Sequence, residues 1–262
     1  MLELRREIEN LARACGGVVS VSVRNIYNAF DFALNDDVRL GSASTIKVPI
    51  LVEALRQVRD GRLSLETEYR ISRDQCRPGS GVLTHLHEGI AVTLRDLLTL
   101  MIITSDNTAT NMVIDIVGME NVNSMLCGFG YAGTTLMRKM YDWEALSQGK
   151  DNWIVAREMT DLLVKIARDE AVEGELDKLI LSIMRNQLYS DELGLLLLEG
   201  VLANKTGRVN NVVHDCGVVT TPGFCYAIAV FTADAPVAGE AKVAIGRISK
   251  LVYDAVSAGK SC

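Results

Sequence analysis

Segments with strand character crowd the two ends of this chain and helical segments fill its middle, and that distribution limits the folds open to it. Residues 18–23 and 29–34 are short β-branched or apolar runs joined by a turn around Asn25 and Asn28. Near the other end, 201–205, 214–220 and 225–232 read as strands, the last two as a hairpin over Thr221-Pro222-Gly223. Strands need partners for their backbone groups, and the terminal strands find them only if the chain ends meet in one sheet. The expectation is an α+β fold: a five-stranded antiparallel sheet with an inserted all-helical lobe. Amphipathic helices flank the sheet at both termini. Leu4, Ile8, Leu11 and Cys15 share a helical face that stops at Gly16-Gly17; Ala241, Ala244, Ile245, Ile248, Leu251, Val252 and Ala255 share another. Residues 1–40 with 195–262 are expected to form the sheet lobe, 41–194 the helical lobe, and a cleft between them the active site.

Inside the helical middle, Val48, Leu51, Leu55 and Val58 mark one face of a helix ending at Gly61. Residues 72–92 are rich in Gly, Pro and His and read as loop. Thr93-Leu94-Arg95-Asp96 is a capping box opening an apolar helix over 94–103. That helix breaks at 104–107 and another runs over 108–117. A long loop spans 137–152, followed by helices over 157–167 and 176–187.

At 262 residues, with 48% hydrophobic residues and 4 prolines, the chain can bury a large core. A net charge of −6 and no basic patch argue against nucleic acid or an anionic membrane as partner. No apolar run reaches the length of a membrane-spanning helix. The N-terminal segment lacks the apolar core of a signal peptide, which leaves a cytoplasmic protein or a processed periplasmic or secreted one. Six cysteines show no metal-ligand spacing and are expected to be reduced and buried. Cys216 and Cys225 flank the hairpin turn, which leaves a cross-strand disulfide open. Neither metal nor organic cofactor is implied.

Ser44-Thr45-Ile46-Lys47 places a hydroxyl and an amine on one helical face, the minimum for a serine nucleophile with a lysine base. Ser147 with Lys150 and Ser257 with Lys260 fit the same Ser-x-x-Lys pattern, so at least two of the three matches are accidents. Ser105-Asp106-Asn107 and then Lys205-Thr206-Gly207 follow Ser44, and three such elements in this order single it out. With them the chain resembles the penicillin-recognising serine hydrolases, most closely the class A β-lactamases.

The resemblance implies the β-lactamase/transpeptidase-like fold and a set of roles. Ser44 is the nucleophile, and Lys47 its base if burial and the nearby charge of Lys205 depress its pKa. Ser105 shuttles a proton to the leaving group, and Asn107 bonds substrate and Lys47. Lys205 and Thr206 align the substrate and bind its carboxylate, and Gly207 lets it approach the backbone. The N–H groups of Ser44 and Arg208 form the oxyanion hole, with the Arg208 side chain as a second cation. Asp106 is expected to be structural, and His214-Asp215 a hydrogen-bonded pair buttressing the sheet.

The resemblance weakens between Arg138 and Asn152. Class A enzymes carry a glutamate there with a Leu-Asn pair three and four residues later, together holding the deacylating water. Here Glu144 is the best candidate base and Asn152 its partner, eight residues apart, with Arg138 anchoring the loop. The expected function is a serine hydrolase that cleaves an amide or lactam through an acyl-enzyme on Ser44, most simply a class A-type β-lactamase. An esterase or D-peptidase of the same fold, or an acylated sensor, is the alternative. The expected substrate is a small carboxylate-bearing molecule, and the chain is expected to be a monomer.

Overall fold

The computed structural model describes residues 1–27 and 29–258. Asn28 of the expected first turn, Lys260 of the third Ser-x-x-Lys match and Cys262 lie outside them. Helix α1 (Leu2–Cys15) ends at Gly16, whose left-handed φ of 75° closes it with a bond to Arg13. Strands β1 (Val18–Asn25) and β2 (Asp31–Leu34) follow, then a short β3 (Arg39–Gly41) and helix α2 (Lys47–Arg59). Strands β4 (Glu68–Arg70) and β5 (Ala91–Thr93) bracket the Gly/Pro-rich loop. Helices α3 (Leu94–Ile103), α4 (Asn107–Val117), α5 (Met119–Gly128) and α6 (Trp143–Ser147) lead to β6 (Trp153–Val155). Helices α7 (Ala156–Ala167) and α8 (Glu175–Arg185) precede strands β7 (Leu202–Val209), β8 (Val212–Thr221) and β9 (Phe224–Ala233) and the last helix, α9 (Ala238–Ala258).

The chain ends do meet. The sheet has the order β2-β1-β9-β8-β7 with every pairing antiparallel, and β1 lies on β9 from Val18↔Ala233 to Asn25↔Tyr226. Alternation along β9 divides the core. Ile228 and Val230 face α1 and α9, packing with Leu4, Ile8, Ile245, Ile248 and Val252. Ala227, Ala229 and Phe231 face the other way and join the helical core around α2, α3 and α7. Small residues dominate that second face, so α7 lies directly across β1, β8 and β9, and Ser22 meets Thr160 at 2.7 Å in the buried seam. Among the described residues no helix is long and apolar enough to cross a membrane.

Several elements differ from the sequence reading. Strand β7 runs past Lys205 to Val209 and so carries Gly207 and Arg208 within the sheet. The pairs β3–β6 and β4–β5 are two-stranded ribbons of three residues each, too short to show a period. Helix α2 is buried nearly all round rather than on one face, as residues 47–55 are all inaccessible. Cys216 pairs with Ala229 and Cys225 with Thr220 across the hairpin; this register separates them, and both are free.

Ile248 of α9 is fully buried. Ile248→Ala should therefore lower unfolding free energy by about 2–5 kcal/mol, read as a lower guanidinium midpoint at unchanged slope. A loss under about 1 kcal/mol would mean that α9 is not part of the sheet's core.

Candidate active site

Ser44 sits in a 3-10 turn, Ala43–Ile46, that runs directly into α2. Thr45 Oγ1 donates to Ser42 O at 2.6 Å and tightens the turn. Pro49 falls in the first turn of α2, where a backbone N–H has no helical partner, so the proline costs no helix bond. Ser44 is half-buried and faces a cleft of about 510 Å³ that it lines with Asn107, Arg138, Met140, Asn152 and Arg208 among others.

Lys47, one helical turn on, is fully buried. Its Nζ lies 2.7 Å from the carbonyl oxygen of Ser105, 3.0 Å from Asn107 Oδ1 and 3.0 Å from Ser105 Oγ. Burial, and then the charge of Lys205, push its pKa well below the ordinary lysine value, and Asp106 opposes this weakly. Lys205, equally buried on β7, reaches the same Ser105 hydroxyl at 3.1 Å and donates to Thr206 O at 2.6 Å; burial lowers its pKa to about 8. One hydroxyl thus stands between two buried amines.

The Ser105-Asp106-Asn107 junction is held by its own polar groups. Ser105 takes a left-handed φ of 55°, unusual for a residue with a side chain. Asp106 caps α4 through Ala109 N and accepts from the Val82 and Leu83 amides, the structural role expected of it. Asn107 donates to Pro78 O while accepting from Lys47, which fixes its carboxamide.

Strand β7 is the free edge of the sheet, and Gly207 brings that edge against Ser44. A Cβ at Gly207 would stand 3.1 Å from Ser44 N and 3.2 Å from Ala43 Cβ. Thr206 and Arg208 line a smaller pocket of about 130 Å³ with Ser44, Ser80, Ser105 and Tyr189. The Arg208 guanidinium is not a free cation. Its Nε pairs with buried Glu192 and its Nη2 with Asp191 at 2.6 Å, which leaves Nη1 without a bond among the described residues. Behind β7, Asp215 is fully buried, accepts from Asn204 Nδ2 and Leu193 N at 3.0 Å, and has its pKa raised by burial to about 8.

His214 and Asp215 are not bonded to each other, because neighbours on a strand point to opposite faces. His214 receives the Thr232 amide at Nδ1, so Nε2 carries the proton and donates to Gly41 O at 2.9 Å. That ties β8 to β3 just before Ser44. Burial lowers this histidine to about 4 and keeps it neutral.

In the 138–152 loop the sequence expectation needs correction. Arg138 does anchor the loop, its Nε donating to Asp151 at 2.8 Å. Glu144, however, lies exposed on α6 and is not among the residues that line the cleft. Asn152 cannot be its partner, because its carboxamide accepts from the Met137 and Arg138 amides and donates to Arg138 O. Eight residues of separation place the two on different parts of the loop, α6 and the segment leading into β6. Besides Arg138, Asp151 and Asn152, the loop residues that reach the cleft are Met140, Tyr141 and Trp143; Ser80 and Gly79 arrive from the 72–92 loop. None of these stood out in the sequence, although two neighbouring aromatics in a chain that is 5% aromatic were a visible signal.

Comparison with known proteins agrees with this geometry. The model of the beta-lactamase enzyme family matches residues 3–256. β-Lactamase VEB-1 of Pseudomonas aeruginosa is 25% identical over 270 residues, spanning 96% of this chain and 89% of that protein. Among solved structures, the β-lactamase of Sphaerobacter thermophilus superposes with a TM-score of 0.91 at 32% identity, covering 97% of each chain. PBP-A superposes with a TM-score of 0.89 at 28% identity over 97% of this chain and 96% of that one. With Ser44, Lys47, Ser105 and Lys205 gathered at one cleft and a family match over nearly its whole length, the chain belongs to the beta-lactamase enzyme family.

Proposed function

We propose that Ser44 is the nucleophile of a β-lactam-cleaving serine hydrolase whose slow step is hydrolysis of the acyl-enzyme. The observation that carries the acylation half is the Ser105 hydroxyl between two buried lysines. A neutral Lys47 has two N–H groups, and the carbonyls of Ser105 and Asn107 take both, leaving its lone pair for a hydroxyl, at rest that of Ser105 at 3.0 Å. That lone pair accepts the Ser44 proton as Ser44 Oγ bonds to the lactam carbonyl carbon. The carbonyl oxygen becomes an oxyanion held by the Ser44 and Arg208 amides, and collapse breaks the C–N bond. Ser105 passes a proton to the departing nitrogen and is resupplied by Lys47. Thr206 and the Arg208 guanidinium line the small pocket, with Lys205 buried behind it on the Ser105 hydroxyl, and give it the character of a carboxylate subsite.

The deacylation half rests on a shortage. Asp151 supplies the carboxylate that lines the cleft, and its Oδ1 already accepts from Arg138 and from the Asn152 amide. With Glu144 exposed off the cleft and Asp151 paired to Arg138, no carboxylate among the described residues that line the cleft is free of an ion pair, so the ester on Ser44 should persist. The L158E mutant of PBP-A, 27% identical with a TM-score of 0.90, is known as an acyl-enzyme complex with penicillin G, which supports penicillin acylation on this scaffold.

Mixing the protein with benzylpenicillin and following intact mass tests both halves. The expected result is one adduct, mapped to Ser44, formed quickly and lost slowly, and absent in Ser44→Ala. An adduct on Ser147 or Ser257 would overturn the nucleophile. Rapid turnover without an accumulating adduct would overturn the slow step. The acid limb of the acylation rate checks the base. Lys205 contributes to lowering Lys47, so Lys205→Met removes a like charge, stabilises protonated Lys47 and raises its pKa. The acid limb should then move to higher pH, and an unmoved limb would mean that Lys47 is not the group titrating.

A further inference from the structure

Two consecutive acidic residues hold the Arg208 guanidinium. Glu192 Oε1 sits in the fork between its Nε and Nη2, and Asp191 Oδ1 accepts from Nη2 at 2.6 Å while the other Asp191 oxygen pairs with Lys242 of α9. The two carboxylates differ in surroundings. Asp191 is half exposed and can be hydrated, whereas the Glu192 side chain is fully buried and its Oε2 has no hydrogen-bond partner among the described residues. Burying a carboxylate with one oxygen on an arginine and the other unsatisfied is costly, and such a group calls for a reason. The segment that carries both acids is tied at each end. Gln187 Nε2 donates to Ile102 O at 2.9 Å and the Leu188 amide to Ile103 O at 3.1 Å, which fastens it to the end of α3 just before Ser105. The Leu193 amide donates to Asp215 Oδ2 at 3.0 Å, which fastens it to β8.

The restrained residue is one that a substrate meets. Arg208 lines both the large cleft and the small pocket with Ser44, and the nitrogen that the two acids leave unbonded among the described residues is Nη1. The Arg208 side chain is 45% exposed. An unrestrained arginine with that exposure on an edge strand samples many rotamers, and a carboxylate that binds it has to order them. With Nε and Nη2 committed, the plane of the guanidinium is set before any ligand arrives. Charge compensation alone does not need this arrangement, because half-exposed Asp191 supplies a counter-charge without burying a second one.

We propose that Glu192 is a positioning residue that fixes the Arg208 guanidinium for the substrate carboxylate, and that it acts through its oxygen and not through its charge. This rests on the reading of Ser44 as the nucleophile and of the small pocket as a carboxylate subsite. The test measures second-order acylation rates at about pH 6 for benzylpenicillin and for its neutral methyl ester, whose ratio reads what the carboxylate contributes. Lys205, lowered to about 8, keeps its charge there. Glu192→Gln and Glu192→Ala remove the same charge, but only glutamine keeps an oxygen for Nε. Glu192→Gln should hold the ratio within about twofold of wild type. Glu192→Ala should lower it about five- to tenfold through the acid alone, with the ester rate unchanged, the scale of ordering one arginine. In an Arg208→Met background the two variants should give the same ratio. Asp191→Asn against Asp191→Ala should show the same order, and replaces the comparison if thermal unfolding finds Glu192→Ala unfolded. Equal ratios in Glu192→Gln and Glu192→Ala, a ratio that rises in Glu192→Ala, or acid and ester rates that fall together would overturn the positioning role while leaving Ser44 in place. A wild-type ratio near one would instead overturn the carboxylate subsite, and wild type that forms no adduct with either compound would overturn the nucleophile.

Discussion

The hydroxyl of Ser105 lies within hydrogen-bonding distance of two buried amines, and the arrangement of the active centre follows from keeping it there. Lys47 approaches from the start of α2 at 3.0 Å and Lys205 from edge strand β7 at 3.1 Å, both without solvent contact. Two ammonium ions in that space would each lack hydration and would repel one another. The less costly state leaves one neutral. Burial lowers both lysines, and the charge of Lys205 adds to the lowering of Lys47. A lysine with a lowered pKa one turn along from Ser44 is therefore a consequence of burial geometry.

Three separate elements must converge for this, and each is tied in place by groups that never touch substrate. Asp106 binds the α3–α4 junction to the Val82 and Leu83 amides, Gly207 lets β7 close on the Ser44 turn, and His214 holds Gly41. Behind β7, Glu192, Asp191 and Asp215 face Lys205 and Arg208 from the inner side, with Lys242 pairing Asp191 at the surface. This acidic cluster compensates the cations of the β7 edge. It also explains why Arg208 reaches the cleft with one free nitrogen instead of a bare charge.

The sequence conveyed the convergent part of this site and missed the divergent part. Ser44, Lys47, Ser105, Asn107 and Lys205 could be singled out because they sit in short local motifs, and the structure brings Lys47, Ser105, Asn107 and Lys205 into one hydrogen-bonded group. The sheet was legible because unpaired terminal strands have few ways to satisfy their backbone. Glu144 was misread because a carboxylate's position along a loop says nothing about which way it faces. Asn152 was misread because a buried carboxamide serves whichever amides the loop leaves unpaired, here those of Met137 and Arg138. The three-residue strands and the all-round burial of α2 needed tertiary context that no period within those segments encodes.

The most direct test is a titration of Lys47 itself. Side-chain NMR of the protein with ¹³Cε-labelled lysine, with the Lys47 resonance assigned by its absence in Lys47→Arg, gives its pKa in the free enzyme. The account predicts a value well below the ordinary 10.5, the direction that burial and the charge of Lys205 impose. A Lys47 that titrates near 10.5 would leave Ser44 without a base and would contradict the mechanism at its first step.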